Sequence, residues 1–419
     1  MTANSVVAGI IVARWLGAEG LGQLAVINVA VATVVQLASL GLPSANTYFI
    51  AQDNRRLRAV AINSIVFALI AGSLLAVALT LLASTRPAWF ASISPRLIAV
   101  AAASIPFQLI TLIGLNIFLA VGRIEKFNLL DLTAQAFVLL NALVALVILN
   151  SGLATLVSFN TATGAIIGLV IIGLVWSYGS KLKHSLSWRP DRELFALMIR
   201  YGMKFHISIV AGALIVRADL LVVNHYRGPG EAGVYSVASQ VALMLMLLPG
   251  VIGTLLFPRV TAEQDARGTT TCRVSRHAAF IMFFVCLAAI PLSLILPLLY
   301  GSAFSEVPAQ LLILLPGVFL IGLESVVVQH ANAMGLPRNI PIFWIATLLT
   351  NIILVFLLVP RYGAFGAAVA STISYALIFL LVVAHFRSTT GRSFSEMFLL
   401  RNFELKQLFT AGRSAGAVR

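Results

Sequence analysis

Eleven apolar runs, most of twenty residues or more, follow one another along this chain, at roughly 22–50, 59–83, 97–121, 129–149, 153–178, 201–225, 233–257, 278–300, 308–330, 340–359 and 364–386. A helix crosses the hydrocarbon of a bilayer with about 20 apolar residues. In lipid every backbone amide must be satisfied internally, so a run of this kind is helix or part of a closed barrel. The runs are continuous in Leu, Ala and Val and do not alternate, which excludes a barrel. Only 10% of the residues are charged and 60% are hydrophobic, against roughly 25% charged in soluble domains. Residues 1–13 form an awkward twelfth run. As a helix they rise about 20 Å, short of the roughly 30 Å of hydrocarbon. No basic leader or cleavage site marks them as a signal peptide. They read as a first transmembrane helix without its beginning.

The charges orient the chain. Taking the loops alternately, one set holds 21 of the 28 Lys and Arg and the other holds 5, with Lys204 and Arg217 inside helices. The positive-inside rule places the 21-charge side, and with it both termini, in the cytoplasm. The net charge of +14 flanks membrane helices and forms no stripe on a soluble fold, so the partner it points to is lipid and not nucleic acid.

A glycine signature occurs twice. Gly17-Ala18-Glu19-Gly20-Leu21-Gly22 closes the first run, and Gly228-Pro229-Gly230-Glu231-Ala232-Gly233 closes a later one, 211 residues on. Gly152 and Gly363 are also 211 apart, and Gly122 and Gly335 are 213 apart. Six helices is an even number, so the second copy enters the membrane as the first does. The expected architecture is all-α: about twelve transmembrane helices in two six-helix lobes related by a parallel pseudo-two-fold. The boundaries are 1–180 for the first lobe, 181–200 for a cytoplasmic interfacial linker, 201–388 for the second lobe, and 389–419 for a cytoplasmic tail. Ser393–Phe409 carries its aromatic and aliphatic residues on one side, which predicts an interfacial helix.

Ionisable residues inside a membrane mark function by default. His206 and Arg217 are 11 apart, about three helical turns, and Asn224 lies about five turns beyond His206. Gly202 and Ala213 fall near the same stripe, the pattern of a helix lining an aqueous path. Arg217 and Asp219 also admit a reading as a packing ion pair, and Lys204 a reading as a residue that snorkels to the interface. Asp219 and Glu324 are candidates for ion coupling. Asn28, Gln36, Asn46, Asn63, Gln108, Asn116, Gln135, Asn160, Gln240 and Asn351 are spread over other spans. Singly each suits an inter-helix hydrogen bond, and together they suffice to line a hydrophilic cavity. Cys272 and Cys286 build no disulfide framework, and the six histidines lack metal spacing. No Walker A loop or Gly-x-Ser-x-Gly elbow is present. The expectation is a transporter with no catalytic residues, no metal and no cofactor beyond a coupling proton or sodium ion.

Val12-Ala13-Arg14-Trp15-Leu16-Gly17-Ala18-Glu19-Gly20-Leu21-Gly22-Gln23 resembles the first-loop signature of the polysaccharide-transport (O-antigen flippase) family of the multidrug/oligosaccharidyl-lipid/polysaccharide exporter superfamily. Leu40-Gly41-Leu42-Pro43, Arg217-Ala218-Asp219 and Tyr362-Gly363-Ala364-Phe365-Gly366 resemble it too. The resemblance implies a V of two lobes with alternating access in a bacterial inner membrane. It implies transfer of an undecaprenyl-diphosphate-linked oligosaccharide to the periplasmic leaflet for O-antigen, exopolysaccharide or capsule synthesis. The head group would cross through a cationic, hydrated cavity, with a polysaccharide polymerase and a chain-length regulator as partners. Arg217 would meet the diphosphate or an acidic sugar, with His206, Lys204, Asn224 and Arg14 assisting. The alternatives are a cation-coupled multidrug exporter of the same superfamily and a membrane scaffold for a glycan-synthesis complex. Lipid II transfer differs only in the head group.

Overall fold

The computed structural model of the chain describes residues 3–90, 93–182, 188–263, 265–335 and 337–400. These residues are almost entirely helical and include no strand. In chain order the helices are α1 (Ala3–Ala38), α2 (Leu42–Gln52), α3 (Leu57–Thr85), α4 (Pro95–Ala102), α5 (Ile105–Ala120), α6 (Ile124–Ala142), α7 (Leu153–Ser180), α8 (Arg192–Arg217) and α9 (Asp219–Arg227). They continue with α10 (Pro229–Leu245), α11 (Leu247–Glu263), α12 (Thr269–Ser293), α13 (Leu296–Tyr300), α14 (Val307–Ala333), α15 (Asn339–Thr390) and α16 (Phe394–Phe398).

Ten spans among the described residues are long and apolar enough to cross a membrane. Two of them are double. α1 breaks at Gly17 (φ 70°, ψ −173°) and α15 breaks at Gly363 (φ 57°, ψ −137°). Both lie at positive φ, which only glycine adopts at little cost. Counting the pieces separately gives the twelve segments expected from the apolar runs, the first of them short. The run at 22–50 is not one rod, because Leu40 (φ 46°) and Gly41 (φ 72°) turn the chain before Pro43 starts α2. The later part of the expected linker, from Arg192 on, is already the start of α8. Asp191 caps Leu194 N at 3.0 Å, and α8 runs unbroken from Arg192 to Arg217. At the other end, among the described residues of the tail, α16 is helical, with Met397 and Phe398 buried. The remainder of the expected tail helix, beyond residue 400, lies outside the described residues.

The chain packs as two compact units. One comprises Met1–Val237, Leu296–Val307 and Ile352–Ala367; the other comprises Ala238–Ile295, Pro308–Asn351 and Ala368–Arg419. The first centres on α5, whose Leu109, Ile113 and Ile117 are buried. Small residues let its helices close: Gly72 meets Pro106, Gly114 meets Ile171, and Gly168 meets Phe107. The second unit does the same around α14, where Gly317 lies on Thr372 and Gly322 on Met282 and Pro249. Close backbone approach of this kind replaces the hydrophobic effect as the force between helices in lipid. Large apolar side chains such as Leu74, Val77, Leu81 and Leu298 point outward, as a lipid-facing surface requires.

Candidate functional site

Within the first unit, α1, the α4–α7 helices and the end of α8 enclose a cavity of about 570 Å³. Its polar lining is almost all neutral. Asn28, Gln36, Gln108, Gln135, Asn141 and Asn160 supply carboxamides, and Ser104, Thr111, Thr161 and Thr163 supply hydroxyls. Among the described residues the one charged lining group is Arg217, and the lining includes no acid and no aromatic residue. Part of the amide set is already cross-linked. Asn141 Nδ2 donates to Asn160 Oδ1 and to Thr163 Oγ1, both at 3.0 Å, and Gln108 Nε2 donates to Ser104 Oγ at 2.8 Å. Arg217 is exposed and makes no hydrogen bond or ion pair among the described residues. A guanidinium left unpaired at membrane depth is costly, and its five donors remain free for a ligand.

The predicted stripe on α8 is one face, but most of it is packed. Gly202 lies backbone to backbone against Gly41. His206 is 5% exposed and its Nε2 sits 3.3 Å from the Leu37 carbonyl, a bond that needs the Nε2–H form. Ala213 and Arg217 border a small crevice with Gln36 and Leu37. The face therefore meets the bend between α1 and α2, and only its end reaches the cavity. Asn224 lies beyond the break at Ala218, fully buried, with Nδ2 donating to the Trp89 carbonyl at 3.3 Å. Lys204 points elsewhere, exposed, 6.0 Å from the Tyr201 ring centre.

The carboxylates separate in the same way. Asp219 is 2% exposed, accepts from Leu220 N at 2.8 Å and from the Tyr235 hydroxyl at 2.5 Å, and forms no pair with Arg217. Glu324, in the second unit, is 2% exposed and has no hydrogen-bond partner among the described residues. Of the scattered amides, Asn28, Gln36, Gln108, Gln135 and Asn160 reach the cavity. Asn46 and Asn63 instead bond the Ile113 and Asp191 carbonyls, and Asn351 bonds Ser374 Oγ. Asn141, Ser104, Thr111, Thr161 and Thr163 complete the polar lining without having stood out in the sequence. The spacing of Asn160 and Thr163, three apart on one helix face, was the available signal.

The two glycine signatures meet. A Cβ on Gly22 would strike the Pro229 carbonyl, and one on Gly233, 211 residues later, would strike the Ala18 carbonyl. Gly17 and Gly228 share a backbone conformation, φ 70°, ψ −173° and φ 84°, ψ 175°. Beside them the helix ends hold distant loops. Arg14 Nε donates to the Leu299 carbonyl at 2.7 Å and its Nη2 to that of Leu298. His225 Nδ1 lies 2.9 Å from the Ala88 carbonyl, next to the Asn224–Trp89 bond. Residues 14 and 225 are 211 apart, and residues 88 and 299 also, so these contacts are counterparts under the repeat.

A multi-pass helical membrane protein with a polar-lined cavity inside its bundle has the makings of a transporter fold, and comparison with solved structures agrees. The chain superposes with a TM-score of 0.79 on an inward-facing multidrug resistance MATE family transporter of the MOP superfamily, at 15% identity over 93% of this chain and 94% of that one. It superposes with a TM-score of 0.71 on the lipid II flippase MurJ in an inward closed conformation, at 17% identity over 92% and 88%. At such identities these matches establish the fold. The sequence profile of polysaccharide biosynthesis proteins matches residues 4–264, and the chain belongs to that family. A candidate O-antigen transporter of Shigella flexneri is 25% identical over 196 residues, 45% of this chain and 46% of that protein. The chain spans about half the length of the curated relatives it matches. Both kinds of comparison lead to transporters and flippases, not to enzymes.

Proposed function

We propose that this protein moves an undecaprenyl-diphosphate-linked oligosaccharide from the cytoplasmic to the periplasmic leaflet of a bacterial inner membrane, in O-antigen, exopolysaccharide or capsule synthesis. The observation that carries this reading is the unpaired Arg217 guanidinium at the wall of an amide- and hydroxyl-lined cavity, in a member of the polysaccharide biosynthesis family. Arg217 presents a planar fork of donors that suits phosphate oxygens bidentately. The amides and hydroxyls both donate and accept, as sugar hydroxyls do. The polyprenyl chain stays in the surrounding lipid. The end carrying the glycine signatures faces the periplasm on this reading, and it must part for release. A multidrug site for organic cations calls for acids and aromatic faces, and the cavity lining has neither. Glu324, buried without a partner, is the carboxyl best suited to carry a coupling proton or sodium ion, because Asp219 is engaged by Tyr235.

The test is Arg217→Ala in the native host. The expected result is accumulation of the lipid-linked oligosaccharide on the cytoplasmic side, with the variant present in the membrane at normal level. Normal polymer export by that variant removes Arg217 from the binding role.

A further inference from the structure

The cavity bears on which head group can enter it, and this deepens the flippase reading above and rests on it. Within the apolar spans of the whole chain there are two cations, Lys204 and Arg217. Lys204 is exposed beside Tyr201 and is not part of the cavity lining, so one guanidinium is the whole positive charge of that lining. Its other polar groups are six carboxamides and four hydroxyls, all neutral and all able both to donate and to accept.

A diphosphate ester already brings more negative charge than one guanidinium neutralises. An ion taken from water into a membrane-embedded cavity needs a counter-charge or a full set of charge-assisted bonds. A uronate or other acidic sugar on the same head group would find neither. A hydroxyl or acetamido group would find partners in Asn28 and Gln36, whose side-chain amides make no hydrogen bond among the described residues, and in the spare donors and acceptors of the Asn141–Asn160–Thr163 set. We infer that the oligosaccharide carried is built of uncharged sugars, its negative charge confined to the diphosphate held at Arg217. Of the two anions that Arg217 could meet, the diphosphate is then the one, and an acidic sugar is excluded.

The experiment uses the full chain in lipid nanodiscs and two synthetic polyprenyl-diphosphate oligosaccharides of equal length. One is made of hexose and N-acetylhexosamine; the other has a single hexose replaced by its uronic acid. The expected result is at least tenfold tighter binding of the neutral probe, the equivalent of about 1.4 kcal/mol. Gln135→Lys, which adds a second cation to the cavity wall in place of a neutral amide, should shift the ratio of the two affinities at least about threefold toward the acidic probe; an unchanged ratio overturns the counter-charge argument. Equal or tighter binding of the acidic probe overturns the inference and leaves the flippase reading standing. Failure of both probes to bind better than the polyprenyl diphosphate without sugars overturns the two together.

Discussion

The first glycine turn is held by Arg14, a permanent cation at the end of its helix, reaching the Leu298 and Leu299 carbonyls. The second is held by Asn224 and by His225, the residue 211 after Arg14, reaching the Trp89 and Ala88 carbonyls. The second is also clamped to the break in α15. Glu231 Oε1 accepts from Ala364 N at 2.6 Å, and Arg227 donates to the Arg361 carbonyl at 2.9 Å. What the copies share is backbone: the Gly17 and Gly228 torsions, and the mutual contact at Gly22 and Gly233. The repeat preserves the shape of the turn and lets the side chains that secure it diverge. The cavity follows the same rule, since Arg217 has Val6 at the position 211 residues before it.

The largest loss is expected where the two turns share backbone contact. Gly22→Leu and Gly233→Leu each drive a side chain into the opposing carbonyl, and overpacking against backbone should exceed the usual cost of about 1–3 kcal/mol. Both variants should lose monodisperse protein in detergent; if they melt like the parent, the contact is not what the glycines are for. Next is the position where the copies differ most. Arg217→Ala should reduce head-group binding more than tenfold, about the worth of one charge-assisted pair, with thermal stability unchanged. A melting shift equal to that of a packing mutant would reassign it to structure.

The latch comes third. Arg14→Ala removes two bonds from a charged donor, each worth about 1.5–3 kcal/mol at most where buried and less at this exposed site. Asn224→Ala removes one neutral bond worth about 0.5–1.5 kcal/mol. Cysteine pairs across each loop should then report more opening in the Arg14 variant than in the Asn224 variant; the reverse order would show that the buried amide, not the cation, is the stronger hold. The smallest effect is expected at Gly17→Ala. No atom lies within 4 Å of the added Cβ, so the cost is that of the positive-φ backbone alone, about 1–3 kcal/mol. A loss as large as that of Gly22→Leu would mean that torsion, and not contact, governs the turn.

Much of the fold was legible because apolar runs and positive-φ glycines are local signals. Gly17, Gly122, Gly228, Gly335 and Gly363 all mark chain reversals, and all lie at positive φ. The face of α8 was legible too, since 100° per residue places Gly202, His206, Ala213 and Arg217 together. What covers that face was not. Extending the stripe to Asn224 assumed one straight helix, and the break at Ala218 separates it. The amides were ambiguous for the same reason. Asn63 and Asn160 look alike in an apolar run, yet one caps the Asp191 backbone and the other lines the cavity.

The membrane class, the number of spans, the repeat and the scarcity of charges inside the bilayer can all be read from the order of residues. Each follows from the cost of leaving polar groups in hydrocarbon, which acts residue by residue and needs no partner. Tertiary structure alone decided which polar groups are spent on one another and which stay free. Asp219 found Tyr235 and His206 found Leu37, whereas Arg217 found no partner and faces the cavity. A hydrogen bond depends on the rotation and approach of a second helix, and neither is encoded in the spacing along the first.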